Sequence, residues 1–257
     1  MLKSYIILLL GLCAVVLAGL GFFVWEKGIA DRNEEVYAVE DYIPIKEREK
    51  KEQELASVQE FIPPDFIHHN VPFVVQAPFA NWEDPVYQDA CEEASITMAI
   101  YWIQQKDLTL EMAYQEIGKL ADLAQELFGT FQDSSAKDTV ELARTYFGYE
   151  DVSVEYNISI ADIKRELARG SVVIVPVNGR ILQNPHYTPP GPSEHMVVVV
   201  GYDDVKEEFT THDPGTRFGE NFRYSYEILG EALQDYETGH QEPAIGKRTA
   251  MIVVKSR

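Results

Sequence analysis

Cys91 is the side chain whose type and position most favour chemistry. The chain contains two cysteines, and the other, Cys13, lies within an apolar N-terminal run, so we do not expect a disulfide between them. Asp89 has the character of a helix N-cap, and Glu92 completes a capping-box pattern. Cys91 would then lie in the first turn of a helix, where unpaired amide groups and the helix dipole favour a thiolate. The pattern predicts a nucleophile, although the adjacent carboxylates of Glu92 and Glu93 oppose its ionisation.

A histidine and a carboxylate are expected to meet across a hairpin further along the chain. A tight turn at Asp203–Lys206 would set His195 opposite Asp213 or Pro214 on the neighbouring strand. Directly opposed side chains share a face of the sheet, with Cβ atoms roughly 5 Å apart. An aspartate beside a histidine orients the ring and stabilises its protonated form. Together with Cys91, these residues supply the parts of a cysteine nucleophile system.

The order of helical and strand patterns predicts an α+β fold. Segments with helical spacing of apolar residues come first, and runs rich in valine and isoleucine follow. We therefore expect a helical half packed on a mostly antiparallel sheet. The predicted helices are 89–105, 109–127, 134–148, 159–170 and 226–233, and the predicted strands are 71–75, 152–156, 171–177, 195–202, 207–212 and 248–255.

Six short motifs lie between about residues 70 and 256. They are Val71-Pro72-Phe73, Gln76-Ala77-Pro78, Trp82, Cys91-Glu92-Glu93-Ala94-Ser95, His195 with a valine run and Gly201-Tyr202-Asp203, and Asp213-Pro214-Gly215. Their joint spacing resembles the papain-clan cysteine peptidases. The resemblance is greatest to the stand-alone "C-thirty-nine-like" branch of the family named after the double-glycine bacteriocin-leader peptidases. It implies a papain-like fold and an enzyme that needs neither a metal ion nor an organic cofactor.

Carried over by position, the resemblance implies roles for individual residues. Cys91 is similar to the family's nucleophile, His195 to its general base, and Asp213 to the group that orients the histidine. The family also uses a glutamine upstream of the cysteine to bind the oxyanion; Gln76 resembles that residue, and Gln88 is the competing candidate. The implied reaction is peptide or amide hydrolysis through an acyl-thioester on Cys91. A non-catalytic peptide- or cell-wall-binding module of the same fold, and an acyltransferase or transpeptidase, are the alternatives.

The N-terminal part of the chain predicts a membrane anchor followed by a tether. Tyr5 to Trp25 contains no charged residue, and as a helix it would span roughly 30 Å, the thickness of a bilayer core. We therefore expect an anchor at residues 1–25, a charged tether at 26–65 and a papain-like peptidase domain at 66–257. The favoured arrangement is a single pass through a bacterial cell membrane with the catalytic domain outside. A cleaved signal peptide, which would give a secreted protein, is the alternative.

The net charge limits the partners of the protein. The chain carries 42 acidic against 22 basic residues, a formal net charge of −20, which argues against nucleic acid as a partner. The expected partners are a peptide or amide substrate and, through the N-terminal helix, the membrane. The sequence leaves the oligomeric state open.

Overall fold

The computed structural model describes residues 62–239 and 248–255. The predicted membrane anchor and nearly all of the predicted tether lie outside these residues. Within the described part of the chain, no helix is both long and apolar enough to cross a bilayer.

The helices begin and end at residues whose chemistry favours those boundaries. Thr109 and Ser135 accept backbone N–H groups at the starts of the third and fourth helices, and Gly129 and Gly148 end them with left-handed φ angles of 77° and 61°. These boundaries lie within a residue or two of the predicted helices 109–127 and 134–148. The helices of the described residues are α1 Pro85–Gln88, α2 Cys91–Ile103, α3 Leu110–Phe128, α4 Ala136–Phe147, α5 Ile160–Ala168, α6 Gly179–Leu182 and α7 Tyr226–Ala232.

An antiparallel sheet forms the other half of the fold. Its strand order is β2-β7-β3-β4-β5-β6, with β1 pairing with β4 outside this path, and each described pairing is antiparallel. The predicted α+β architecture, with helices packed on an antiparallel sheet, is confirmed. The strands of the described residues are β1 Phe66–His68, β2 Val152–Tyr156, β3 Val172–Val177, β4 His195–Asp203, β5 Glu208–His212, β6 Phe222–Ser225 and β7 Ala250–Val254.

The central strands are buried on both faces, because helices cover each side of the sheet. Ile174 of β3 points into a core shared with helices α2, α3 and α4. Its neighbours Val173 and Val175 point into a second core shared with α5 and α7. This burial explains why β3, β4 and β7 read as continuous apolar runs rather than as alternating patterns.

The hairpin of β4 and β5 differs from the predicted tight turn. Asp203 pairs with Glu208 across a longer loop, and a β-bulge between Val199 and Gly201 shifts the register by one residue. The last pair towards His195 is Val198 with His212. If this register is continued, His195 lies level with Gly215 rather than with Asp213 or Pro214. The predicted register is therefore wrong. The cause is a four-residue connection in which Glu207 adopts a left-handed φ of 54°.

Two local predictions before α2 are also wrong. Asp89 does not cap α2, because it ends the short helix α1, and Ala90 precedes Cys91 without any side-chain cap. Residues 71–75 form no strand. Val71 and Val74 are buried against the core, and the N–H of Val74 donates to Sδ of Met98 instead of to a neighbouring strand.

Candidate active site

Cys91 is the first residue of α2 and is almost completely buried, with 5% of its surface exposed. Its thiol donates to Oε2 of Glu92 at 3.2 Å. Burial raises the pKa of Cys91 well above its usual value, and any negative charge on the neighbouring carboxyl groups of Glu92 and Asp89 raises it further. Burial and the nearby carboxyl groups therefore oppose the thiolate that the helix start is expected to favour. A base is needed to ionise the thiol.

Asp213 is fully buried at the centre of a hydrogen-bond network. Its Oδ1 accepts a hydrogen bond from Nε2 of His195 at 2.8 Å. Its Oδ2 accepts from the hydroxyls of Tyr187 at 2.6 Å and Tyr224 at 2.7 Å, and from the amide of Asn184 at 3.0 Å. Burial raises the pKa of Asp213, but the charge of His195 and these hydrogen bonds outweigh burial and leave the pKa below its usual value. Because an ionised carboxylate only accepts, Nε2 of His195 carries the hydrogen and Nδ1 is left to take up a proton.

The loop that follows β5, residues 213–219, fixes Asp213 through its own backbone. The N–H of Asp213 donates to the carbonyl of Gly219 at 3.0 Å, and the N–H of Gly215 donates to Oδ1 of Asp213 at 3.0 Å. A Cβ atom on Gly219 would lie 1.8 Å from the carbonyl oxygen of Asp213. A Cβ atom on Gly215 would lie 2.9 Å from Cε1 of His195. The absence of a side chain at Gly219 lets the loop close against the main chain of Asp213, and at Gly215 it lets the loop lie against the His195 ring.

Gln76 and Gln88, the two candidates for oxyanion binding, have different surroundings. Gln76 is buried, and its backbone N–H donates to the carbonyl of Pro214 at 3.0 Å. Its side-chain Nε2 donates to the carbonyl of Gln88 at 2.7 Å and to that of Tyr87 at 3.3 Å. The side chain of Gln88 is exposed. Gln76 is thus held in one orientation from two sides, whereas Gln88 is anchored mainly through its backbone.

A cleft of about 850 Å³ joins these residues, and its lining includes Cys91, His195, Gln76 and Gln88. This volume lies in the range of sites that bind drug-sized ligands. The proline-rich loop over residues 184–192 forms part of one wall. The remaining wall residues include Trp82, His186, Tyr187, Pro192, Arg217 and Phe218.

The geometry brings a thiol, an imidazole with its carboxylate, and a buried amide to one cleft. A family model described as "Peptidase_C39 like family" matches residues 68–243, which is more than half of the chain. The chain belongs to this family. It is a cysteine peptidase of the papain clan, and the family that the motifs predicted is confirmed.

Two solved structures are similar to this Peptidase_C39 like protein. One is a protein from Bacillus anthracis described as a C39-like peptidase, with 19% sequence identity, a TM-score of 0.49 and coverage of 76% of this chain and 100% of the other. The second is xylellain, a cysteine protease from Xylella fastidiosa, with 16% identity, a TM-score of 0.37 and coverage of 76% and 87%. Comparison with curated proteins gives no match.

The residues that support the peptidase's aspartate and cysteine were missed by sequence reasoning. Tyr224 and Asn184 reach Asp213 from β6 and from the proline-rich loop, and Tyr236 donates to Glu92 at 2.5 Å. Each of them lies outside the element or loop that holds the residue it contacts, between 11 and 144 residues along the chain. Spacing within one element could therefore not reveal them, and only the position of Asn184 in a loop rich in proline gave any signal.

Proposed function

We propose that this peptidase cleaves peptide or amide bonds through an acyl-thioester on Cys91. The observation that carries the proposal is that Cys91 lines the same cleft as His195, whose ring is fixed by the buried Asp213. Nδ1 of His195 takes the thiol proton, and the sulfur then attacks the substrate carbonyl. The protonated ring is stabilised by Asp213 and later gives its proton to the leaving amine. Water then hydrolyses the thioester and restores the thiol.

The oxyanion of the tetrahedral intermediate needs donors beside the reacting carbon. Cys91 is the first residue of α2, and N–H groups at a helix start have no acceptor within the helix. We assign the second donor to Gln76, because its side-chain amide lies in the cleft wall and is held rigidly by main-chain carbonyls. Preorganised donors of this kind stabilise the negative charge as it develops.

The substrate reaches this cleft outside the cell, in our proposal, because the apolar segment Tyr5–Trp25 anchors the protein to the cell membrane in a single pass. The length of this uncharged run supports the anchor. After fractionation of cells that produce the full chain, we expect the protein to resist alkaline carbonate extraction and to be cleaved when protease is added to intact cells. Recovery of the protein in the carbonate supernatant or in the medium would exclude the anchor.

The catalytic proposal is tested with the full chain and two matched cysteine variants. Cys91→Ala should lower turnover of a peptide-library substrate by at least about 10³-fold, because no other group can form the thioester. Cys13→Ala should leave turnover unchanged. Mass spectrometry after addition of an acyl donor or a thiol-directed peptide inhibitor should locate the adduct on Cys91.

Two outcomes would decide against hydrolysis at this thiol. Unchanged turnover by Cys91→Ala would refute the mechanism. An acyl adduct on Cys91 that is released by a candidate amine but not by water would identify a transferase instead.

A further inference from the structure

Glu92 lies beside the reacting sulfur in the interior of the peptidase. Its side chain is fully buried, its Oε2 is 3.2 Å from Sγ of Cys91, and its Oε1 accepts a hydrogen bond from the hydroxyl of Tyr236 at 2.5 Å. Tyr236 is itself buried, with 4% of its surface exposed. A chain of two hydrogen bonds thus leads from the segment after α7 to the nucleophile.

The groups that face Glu92 disfavour a negative charge on it. They are Glu93 of the same helix, Asp89 before it, and Asp133 in the loop before α4. Burial raises the pKa of Glu92 well above its usual value, these three carboxyl groups raise it further, and the hydrogen bond from Tyr236 only partly opposes them. Among the described residues, no lysine or arginine donates to its carboxyl group. A neutral carboxylic acid is the form that fits this place.

We propose that Glu92 acts as a neutral hydrogen-bond donor that stabilises the Cys91 thiolate, with Tyr236 as the residue that positions it. The proposal rests on the assignment of Cys91 as the nucleophile. It resolves the conflict between a reactive thiol and two adjacent glutamates, because an acid group that keeps its proton stabilises a neighbouring anion rather than repelling it.

Each proton in this arrangement has one assigned atom. Tyr236 donates to Oε1 of Glu92, which leaves the acid proton on Oε2, and a separation of 3.2 Å from sulfur suits donation in either direction. The thiol proton passes to Nδ1 of His195, and the Glu92 proton stays on Oε2 and donates to the sulfur anion. When the sulfur–carbon bond forms, the carbonyl electron pair moves to oxygen and the hydrogen bond from Glu92 weakens.

The test measures the rate at which iodoacetamide alkylates Cys91 of the full chain as a function of pH. Peptide mass spectrometry follows Cys91 separately from Cys13. Glu92→Gln keeps an N–H donor for sulfur and an oxygen for Tyr236, so we expect its alkylation rate at neutral pH to stay within about threefold of the wild-type rate. Glu92→Ala removes the donor and should lower the rate about tenfold or more.

Further variants keep the test decisive even when Glu92→Ala fails to fold. Tyr236→Phe should lower the alkylation rate at neutral pH about threefold to tenfold, since the proton of Glu92 is no longer directed to Oε2. Glu93→Gln, a matched change in the same buried cluster, should leave the rate below pH 7 unchanged. At alkaline pH the wild type should lose turnover as Glu92 ionises, whereas Glu92→Gln should retain it.

Two results would overturn the role of Glu92 while leaving Cys91 as the nucleophile. A tenfold faster alkylation of Glu92→Gln at neutral pH would mean that the native carboxyl group is ionised and repels the thiolate. Wild-type profiles for both Glu92→Ala and Tyr236→Phe would mean that neither residue acts on the sulfur. Loss of the Cys91 adduct in the wild type would instead refute the proposed function itself.

Discussion

At the scale of single residues, chemically similar groups in the site have different roles because their surroundings differ. The two nitrogens of His195 differ because Asp213 holds Nε2, so that Nδ1 alone is left for proton transfer. The two glutamines, Gln76 and Gln88, also differ, because only one of them is buried. Gln76 is 5% exposed and held by two main-chain carbonyls, whereas the Gln88 side chain is exposed. Rigid placement is what an oxyanion donor requires.

Replacement of each glutamine by alanine should therefore have unequal effects. The amide nitrogen of Gln76 has two hydrogens: the 2.7 Å bond to Gln88 engages one, and an oxyanion can replace the longer 3.3 Å contact with Tyr87. We expect Gln76→Ala to lower kcat about 10²- to 10³-fold and Gln88→Ala to stay within about twofold, measured in steady-state assays. The unfolding midpoint of each variant controls for loss of structure. A larger loss of kcat in Gln88→Ala would reverse the assignment.

At the scale of elements, the loop 213–219 positions the aspartate and touches the histidine. A Cβ atom on Gly215 would lie 2.9 Å from Cε1 and 3.2 Å from Nε2 of His195. We expect Gly215→Ala to push the ring away and to lower kcat/KM about 10- to 100-fold, with the unfolding midpoint little changed, because small displacements of a catalytic group are costly. Gly230→Ala in α7 is the matched control, since its nearest neighbour atom, in Ile160, lies at an ordinary 3.4 Å.

Wild-type kcat/KM in Gly215→Ala would contradict this account. It would show that the site tolerates movement of the His195 ring, and that the closeness of the loop is a packing feature alone. An equal loss in Gly230→Ala would point instead to a general effect of added side chains.

The strands and the loop around His195 and Asp213 show which features of the site the sequence could predict. Strands β3 and β4 were recognisable because both faces are buried and the chain is rich in valine and isoleucine there. The four-residue connection between β4 and β5 and the bulge at Val200 have no signature of their own, and together they set the register. His195 and Asp213 nevertheless meet, because Asp213 lies beyond the end of β5 and is set by backbone bonds of its loop rather than by strand pairing. The pairing of residue types was predictable, whereas the path that produces it was not.

Short elements and buried polar contacts could not be predicted, because they leave no periodic pattern in the sequence. Residues 71–75 are as apolar as a strand, yet they pack on the core without a partner strand, and apolar content cannot distinguish these two cases. The three-residue strand β1 is too short to show a period. Tyr224 and Tyr236 acquire their partners from tertiary structure alone.

At the scale of the whole molecule, buried carboxyl groups of opposite behaviour set the dependence of folding stability on pH. Asp213 has a lowered pKa, so its contribution is present above its usual pKa and is lost as the pH falls through the lowered value. Glu93 is different: it is fully buried, and neither of its carboxyl oxygens is hydrogen bonded to another described residue. Burial, with Asp89 and Asp133, raises its pKa from 4.5 to about 8, against the opposing effect of its own backbone N–H.

The raised pKa of Glu93 predicts that the protein loses stability on the alkaline side. Between pH 4.5 and about 8 the native state keeps a proton that the unfolded chain has released. The free energy of unfolding therefore falls as the pH rises, by up to about 1.4 kcal/mol per pH unit for this group, and levels off above that range. Urea unfolding of the wild type between pH 5 and 9 should show this fall, and Glu93→Gln should make it shallower, because the buried Glu92, whose pKa is also raised, contributes the remainder. The exposed Glu126 supplies the control, because Glu126→Gln should leave the slope unchanged. The same pH dependence in Glu93→Gln as in the wild type would mean that Glu93 is ionised in the folded protein, and a stabilising partner for its charge would then have to exist.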